Sequence, residues 1–388
     1  MSFYGEERTL NGKIFKRNGA KLIQNKINRA IKKGKRQCTI SGNLEIEKAV
    51  LVPSDFTLVL SDCHLRLKDG VFCNMFKNAS SGEDFDHNIK IIGVGRAILD
   101  GGNYNGLSEK NSNKNGNPHI SVNHLILFIK VEDFTISNLE IRNQRYWGIN
   151  LVYSRFGRIK NIDFHADDTL VYPDGTRKHG TFRKTLAEVS GSSVYLHNAD
   201  GIDLRVGCHD ILIEDICGMV GDDSVAITGL QDSFYKKYGT DELSSDIYNI
   251  TVRNIRTETI HTNVRMLNQG GIKLYNVLID GVMDISKGSK HTDQAYYTVR
   301  VGDSHLYGTR HSTKEETYNI VIRNVYGRAK SIINLEGEIT NITIENIHGF
   351  DGFGERGEIL NNAKLYGDSK VESVKSLKIN AMAKKLNF

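Results

Sequence analysis

Several things are scarce in this chain, and each scarcity excludes something. It has three prolines and one tryptophan in 388 residues. Its five cysteines, Cys38, Cys63, Cys73, Cys208 and Cys217, are odd in number and form no C-x-x-C. Neither a zinc knuckle nor a disulfide framework fits that pattern, and buried free thiols in a reducing compartment do. No run approaches 18 apolar residues, so no membrane-spanning helix is expected. The opening "MSFYGEERTLNGKIFKRNG" has no apolar core of a signal peptide. Charge of one sign is also lacking. With 51 basic and 46 acidic residues, the excess of +5 reads as a mixed solvated surface rather than a face for nucleic acid.

What is present is glycine, 37 copies, and a hydrophobic fraction of 39%, enough for a folded core with many tight turns. The chain also repeats itself. "FTISNLEI" at 134–141 returns as "GRIKNIDF", "ILIEDICG", "ITVRNIRT", "VLIDGVMD", "IVIRNVYG" and "ITIENIHG", the last at 342–349. Each copy is a short alternating run, then one Asn, Asp or Gly, then an apolar residue. The hinge residues are Asn138, Asn161, Asp215, Asn254, Gly281, Asn324 and Asn346. Alternation such as Ile342 and Ile344 against Thr343 and Glu345 marks a strand with one buried face. Asn, Asp and Gly tolerate a left-handed backbone, so one of them bends the strand without a loop.

Strand–bend–strand units recurring at about 22 residues, or at longer steps with inserted loops, are the pattern of a solenoid. The fold class expected is all-β, a right-handed parallel β-helix forming a single domain over 1–388. In "GAKLIQNKINRAIKKGK" at 19–35, Ile23, Ile27 and Ile31 recur at helical spacing and Gly34 can end the helix. This helix is expected to cap the first coil, because an open sheet edge invites association. Residues 371–388 are expected to be a C-terminal cap or tail, and 103–119 and 167–189 to be loops.

Two stretches point to chemistry: "NADGID" at 198–203 and "VGDDSVAI" at 220–227. Coils of a β-helix stack ~4.8 Å apart. Asp200 and the pair Asp222–Asp223, 22 residues on, would then share one face. Like charges so close raise one another's pKa. Three uses of such a trio are open: general acid–base catalysis, calcium ligation, or merely polar turns.

With "PHISVNHLILFIKVEDFTISNLEIRNQRYWGINLVYSRFGRIKNIDF" leading into "NADGID" and "GDDSVAI", residues 45–285 resemble the polygalacturonase-like enzymes, glycoside hydrolase family 28. That family's signature runs N-x-D, G-D-D, G-H-G, R-I-K. The resemblance implies hydrolysis with inversion, with Asp222 as proton donor and Asp200 and Asp223 as the carboxylates that activate water. Arg265, in "NVRMLNQGG", matches the arginine of R-I-K and would bind substrate. Two departures stand out. Leu267 occupies the lysine position, and no G-H-G lies between Asp223 and Arg265, where His261 is the only histidine and a candidate substrate-binding residue. Lys236 or Lys237, in the insertion "GLQDSFYKKYGTDELSSD", is a candidate replacement cation. Tyr146 and Trp147, with Tyr235 and Tyr238, are candidates to stack on sugar rings.

The function expected is a glycoside hydrolase acting on an oligo- or polysaccharide, with uronate chains among the candidates and no cofactor or metal. The alternatives are a calcium-dependent β-helix lyase and a non-catalytic, tailspike-like carbohydrate-binding solenoid. A cytoplasmic location is expected, with secretion or association with a phage particle as alternatives. The oligomeric state stays open.

Overall fold

The structure, a computed structural model, describes residues 7–10, 13–69, 71–102, 121–166, 170–171, 177–178, 200–269, 271–286, 295–302, 310–329, 331–350 and 357–377. The chain divides into two compact units, 1–199 and 200–388.

In the first unit, strands Gln37–Ile46, Phe56–Leu67, Asp86–Asp100, Val131–Arg142 and Arg155–His165 stack in parallel as one sheet. Val50–Val52, Phe76–Asn78, Ile126–Ile129 and Trp147–Val152 form a second parallel sheet. The chain alternates between the two sheets, which is the winding of a β-helix. The coil is right-handed, as parallel crossovers are in about 98% of cases.

Helix Gly19–Lys32 covers the start of this unit. Ala20, Ile23, Ile27 and Ala30 are its buried stripe. Ile31, expected in that stripe, is 40% exposed, because 3.6-residue periodicity returns the face to position 30. The helix ends as expected: Gly34 has φ 67° and Lys35 N–H donates to the Ala30 carbonyl, a Schellman closure. Gln24 bonds both backbone groups of Leu51, at 2.9 and 3.2 Å, and so satisfies the open edge of the second sheet.

In the second unit, the long strands are His209–Met219, Ile247–Glu258, Leu274–Asp284, Thr317–Gly327 and Glu338–Phe350. The short strands are Asp200–Leu204, Val225–Gly229, Thr262–Asn268, Tyr297–Val301 and Ser331–Leu335, again all parallel. The stretch 371–388, expected to be a C-terminal cap or tail, starts as strand. Lys370–Val371 and Lys375–Leu377 both pair with Glu338–Phe350. Residues 378–388 and the stretches expected as loops, 103–119 and most of 167–189, lie outside the described residues; within the last, Leu170–Val171 and Arg177–Lys178 form an antiparallel pair.

All seven hinge residues are left-handed, with φ from 53° to 79°. Their side chains continue the ladder from coil to coil: Asn161 to Asn138 at 2.9 Å in the first unit, Asn254 to Asp215 at 3.1 Å and Asn346 to Asn324 at 2.6 Å in the second. A second left-handed file, Asp210, Asn249, Asn276, Asn319 and Asn341, bends the chain where each long strand begins. Its amides are joined at 2.9 to 3.2 Å. Beside it His209, Tyr248, Tyr275 and Tyr318 stack face to face, 4.5 to 5.1 Å apart. Cys38, Cys63 and Cys208 are buried, but Cys217 is exposed, so the free thiols are not all interior. Burial pushes the Cys63 thiol up to about 12.

Candidate active site

In the second unit Asp200, Asp222, Asp223 and His261 lie at or just before the leading ends of the short strands, and Arg265 lies within one. Gly201 N–H donates to the Asp223 carbonyl at 2.9 Å, and Ile202 pairs with Val225. The step between these coils is therefore 23 residues, and Asp200 stands against Asp223 rather than Asp222. Asp223 N–H in turn donates to Asp200 Oδ1 at 3.2 Å.

The next coil arrives 39 residues later, because the segment after Gly229 inserts a short helix, Ser233–Tyr238. That coil carries His261 and Arg265 to the same carboxylates. His261 Nδ1 is 3.0 Å from Asp223 Oδ1 and 3.5 Å from Asp222 Oδ1. Arg265 Nη1 donates to Asp223 Oδ2 at 3.0 Å. Thr259 fastens the turn: its hydroxyl donates to the Asp222 carbonyl and accepts from His261 N–H. Asp200, Asp223 and Arg265 are buried, whereas the Asp222 side chain is 46% exposed.

The electrostatics split the two buried carboxylates. Burial, and then the charges of Asp203, Asp222 and Asp223, hold the Asp200 carboxyl well above the usual carboxylate range, against the opposing pull of Arg265. Burial acts on Asp223 too, but Arg265 and the His261 hydrogen bond outweigh it and hold that carboxyl far below its usual value. Burial pulls His261 down, and Asp223 and Asp222 more than restore it, so its pKa is raised. One member of the cluster thus keeps a proton where its neighbour stays ionised.

Three participants escaped the sequence reading. Asp203 is fully buried and lies 3.6 Å from Arg205. Arg205, also buried, pairs with Asp232, which caps the Ser233–Tyr238 helix by accepting from Phe234 N–H and Tyr235 N–H. The signal was there: Ile202 and Leu204 alternate with Asp203 and Arg205, which puts the charged pair on one outward face.

Lys237 is exposed, with its ammonium 5.1 Å from the Tyr238 ring, and Lys236 is exposed beside it. Tyr238 is buried and Tyr235 half-buried. Leu267 is buried opposite Thr228, so an apolar side chain fills the position two residues past Arg265. Tyr146 and Trp147 belong to the first unit. Trp147 is buried there, stacked on His124 at 5.2 Å and edge-on to Tyr146, so its indole is part of an internal cluster.

The family model described as "Glycosyl hydrolases family 28" matches residues 43–236, half of the chain, and includes all three expected catalytic aspartates. The chain belongs to that family. As a family 28 chain it is a glycoside hydrolase that acts on a polysaccharide. The match ends before His261 and Arg265, which the geometry brings to the same carboxylates. No curated protein matches the sequence closely. Among solved structures it is similar to a hyperthermoactive exopolygalacturonase from Thermotoga maritima, at 14% identity and TM-score 0.55, covering 90% of this chain and 88% of that one. It is also similar to a 1,3-alpha-1,4-beta-D-galactose-4-sulfate-3,6-anhydro-D-galactose-2-sulfate 4 galactohydrolase, at 13% identity and TM-score 0.51, covering 92% and 85%. At that identity the likeness extends to the parallel β-helix fold alone.

Among the described residues one group could ligate a metal ion: Asp222, Asp223 and His261, whose ligand atoms lie within 4.8 Å of one another. It suits calcium poorly. Calcium takes six to eight oxygen ligands, whereas here one donor is an imidazole and a guanidinium already sits on Asp223 Oδ2.

Proposed function

We propose that the chain hydrolyses a glycosidic bond with inversion, Asp222 giving the proton to the departing oxygen and Asp223 taking one from the attacking water. Asp223, buried and held between Arg265 and His261 beside the exposed Asp222, carries this reading. A hydrolase needs one carboxyl that holds a proton and one that does not. Arg265 and His261 keep Asp223 ionised, which suits a base. Asp222 is the exposed member, the one a glycosidic oxygen can approach. Asp200 shares the cluster's proton at rest, so Asp223 is the better water-activating group of the two.

The test is the configuration of the first product, read by proton NMR during cleavage of a glycan from a plant and bacterial panel, with Asp222→Asn in parallel. The inverted anomer is expected first, and the variant should lose roughly 10²–10⁴ in rate. Because Asp222 is half-exposed, its amide should fold normally. A retained anomer would overturn inversion. An unsaturated sugar at the new chain end would overturn hydrolysis.

A further inference from the structure

The outward face of the short strands continues past the carboxylates. Arg265 is in register with Arg300 on the next coil, and Arg300 with Asn334 on the one after. Val264 and Met266, Val299 and Val301, Ile333 and Leu335 alternate with them and are buried in the core. The row is therefore a polar file at one coil per step, the direction in which a bound glycan can extend from the cleaved bond.

Among the described residues, each guanidinium on this face meets a carboxylate. Arg205 pairs with Asp232, Arg265 with Asp223, and Arg300 Nη2 with Glu336 Oε2 at 2.8 Å. Arg300 is also seated against the Tyr297 ring, 4.9 Å from its centroid. A uronate would need one of these cations and would displace its partner to reach it. At Arg300 it would also come up against Glu336, whose charge repels it. The position where a lysine would add an unmatched cation holds Leu267.

What the file does offer suits hydroxyl groups. Arg300 Nε–H and Asn334 Oδ1 are buried and make no hydrogen bond. Left so, each carries the cost of an unsatisfied polar group. A sugar hydroxyl both donates and accepts, and a pair of hydroxyls on one ring can answer this donor and this acceptor. Tyr296, 40% exposed and edge-on to His261 at 5.8 Å, adds an aromatic surface beside the site.

We propose that the sugar ring held beside the cleaved bond is uncharged, bound through its hydroxyls by Arg300 and Asn334 rather than through a carboxylate. This rests on the hydrolase reading and narrows its substrate to neutral polysaccharide at that position. The experiment compares kcat/KM of the wild type and Glu336→Gln on a panel of neutral and uronate-containing polysaccharides, at low and high salt. The wild type should cleave a neutral chain best, with KM indifferent to salt because no long-range charge attraction is involved. Glu336→Gln frees the Arg300 charge and should raise the uronate-to-neutral ratio of kcat/KM about tenfold. Preferred cleavage of a uronate chain by the wild type, or an unchanged ratio in Glu336→Gln, overturns the inference and leaves the hydrolase intact. If no member of either class is cleaved, the hydrolase reading falls with it.

Discussion

Replacing Arg265 with methionine keeps much of the side-chain stem and removes only the charge that faces Asp223. The two groups are 3.0 Å apart and both are buried. At charge centres about 4 Å apart and an effective dielectric of about 20, their attraction is about 4 kcal/mol. Removing one partner of a buried pair costs about 3–5 kcal/mol by experience, because the other charge is stranded. The two figures agree, so Arg265→Met should lose about 3–5 kcal/mol in denaturant unfolding of the second unit. It should also release the Asp223 carboxyl upward by about 1–3 pH units, leaving His261 as its remaining partner. Activity requires that carboxyl ionised. The acidic limb of the pH profile of kcat/KM, which lies low in the wild type, should therefore move up by the same interval. Arg265→Lys keeps a charge and should hold the limb near its original place while losing part of the stability. An acidic limb that does not move in Arg265→Met, together with a stability loss below about 1 kcal/mol, would refute the assignment of Asp223 as the base held ionised by Arg265.

Asp200→Asn should change the pH dependence of stability in a set direction. The folded state holds the Asp200 proton where the unfolded chain has lost it. The wild type therefore loses stability as pH rises from about 3.9 toward the raised folded value, and the variant does not. Unfolding curves at a series of pH values measure this, and a constant difference between the two proteins would contradict it. In the outer ladder, Asn276 donates to Asn249 at 3.1 Å and accepts from Asn319 at 3.2 Å, at φ 53°. Asn276→Ala and Asn276→Gly both lose these bonds, but only alanine strains the left-handed backbone. The glycine variant should be the more stable by about 1–2 kcal/mol in denaturant unfolding.

Much of the fold is legible in the sequence because its determinants are local. A left-handed bend needs Asn, Asp or Gly at one position, and a half-buried strand needs alternation over a few residues. Asn138 through Asn346 supply the first, and the runs around them the second. The outer file from Asp210 to Asn341 follows the same chemistry but sits just before each run, where an Asn reads as ordinary turn punctuation. The stripe of helix Gly19–Lys32 was misplaced by one residue at Ile31, where Ala30, a smaller and less conspicuous side chain, closes the buried face.

The site divides along the same line. Asp200, Asp222 and Asp223 announce themselves by spacing, since successive coils must return to the same face. Their partners do not announce themselves by spacing; Arg265 is legible only through its resemblance to the arginine of R-I-K. His261 and Arg265 reach Asp223 across 38 and 42 residues, and the inserted helix sets the length of that coil. No periodicity in the sequence states where such an insertion rejoins the stack.

By itself, then, the sequence determined the coil, its bends and a face bearing three carboxylates, because these follow from backbone preference and side-chain alternation a few residues at a time. Only the tertiary structure decided that Asp200 faces Asp223, that one keeps a proton while the other cannot, and that Arg205, Arg265 and Arg300 are each matched by a carboxylate. Those depend on burial and on distances of about 3 Å between residues far apart in the chain, where ionisation is set by the surroundings rather than by residue type.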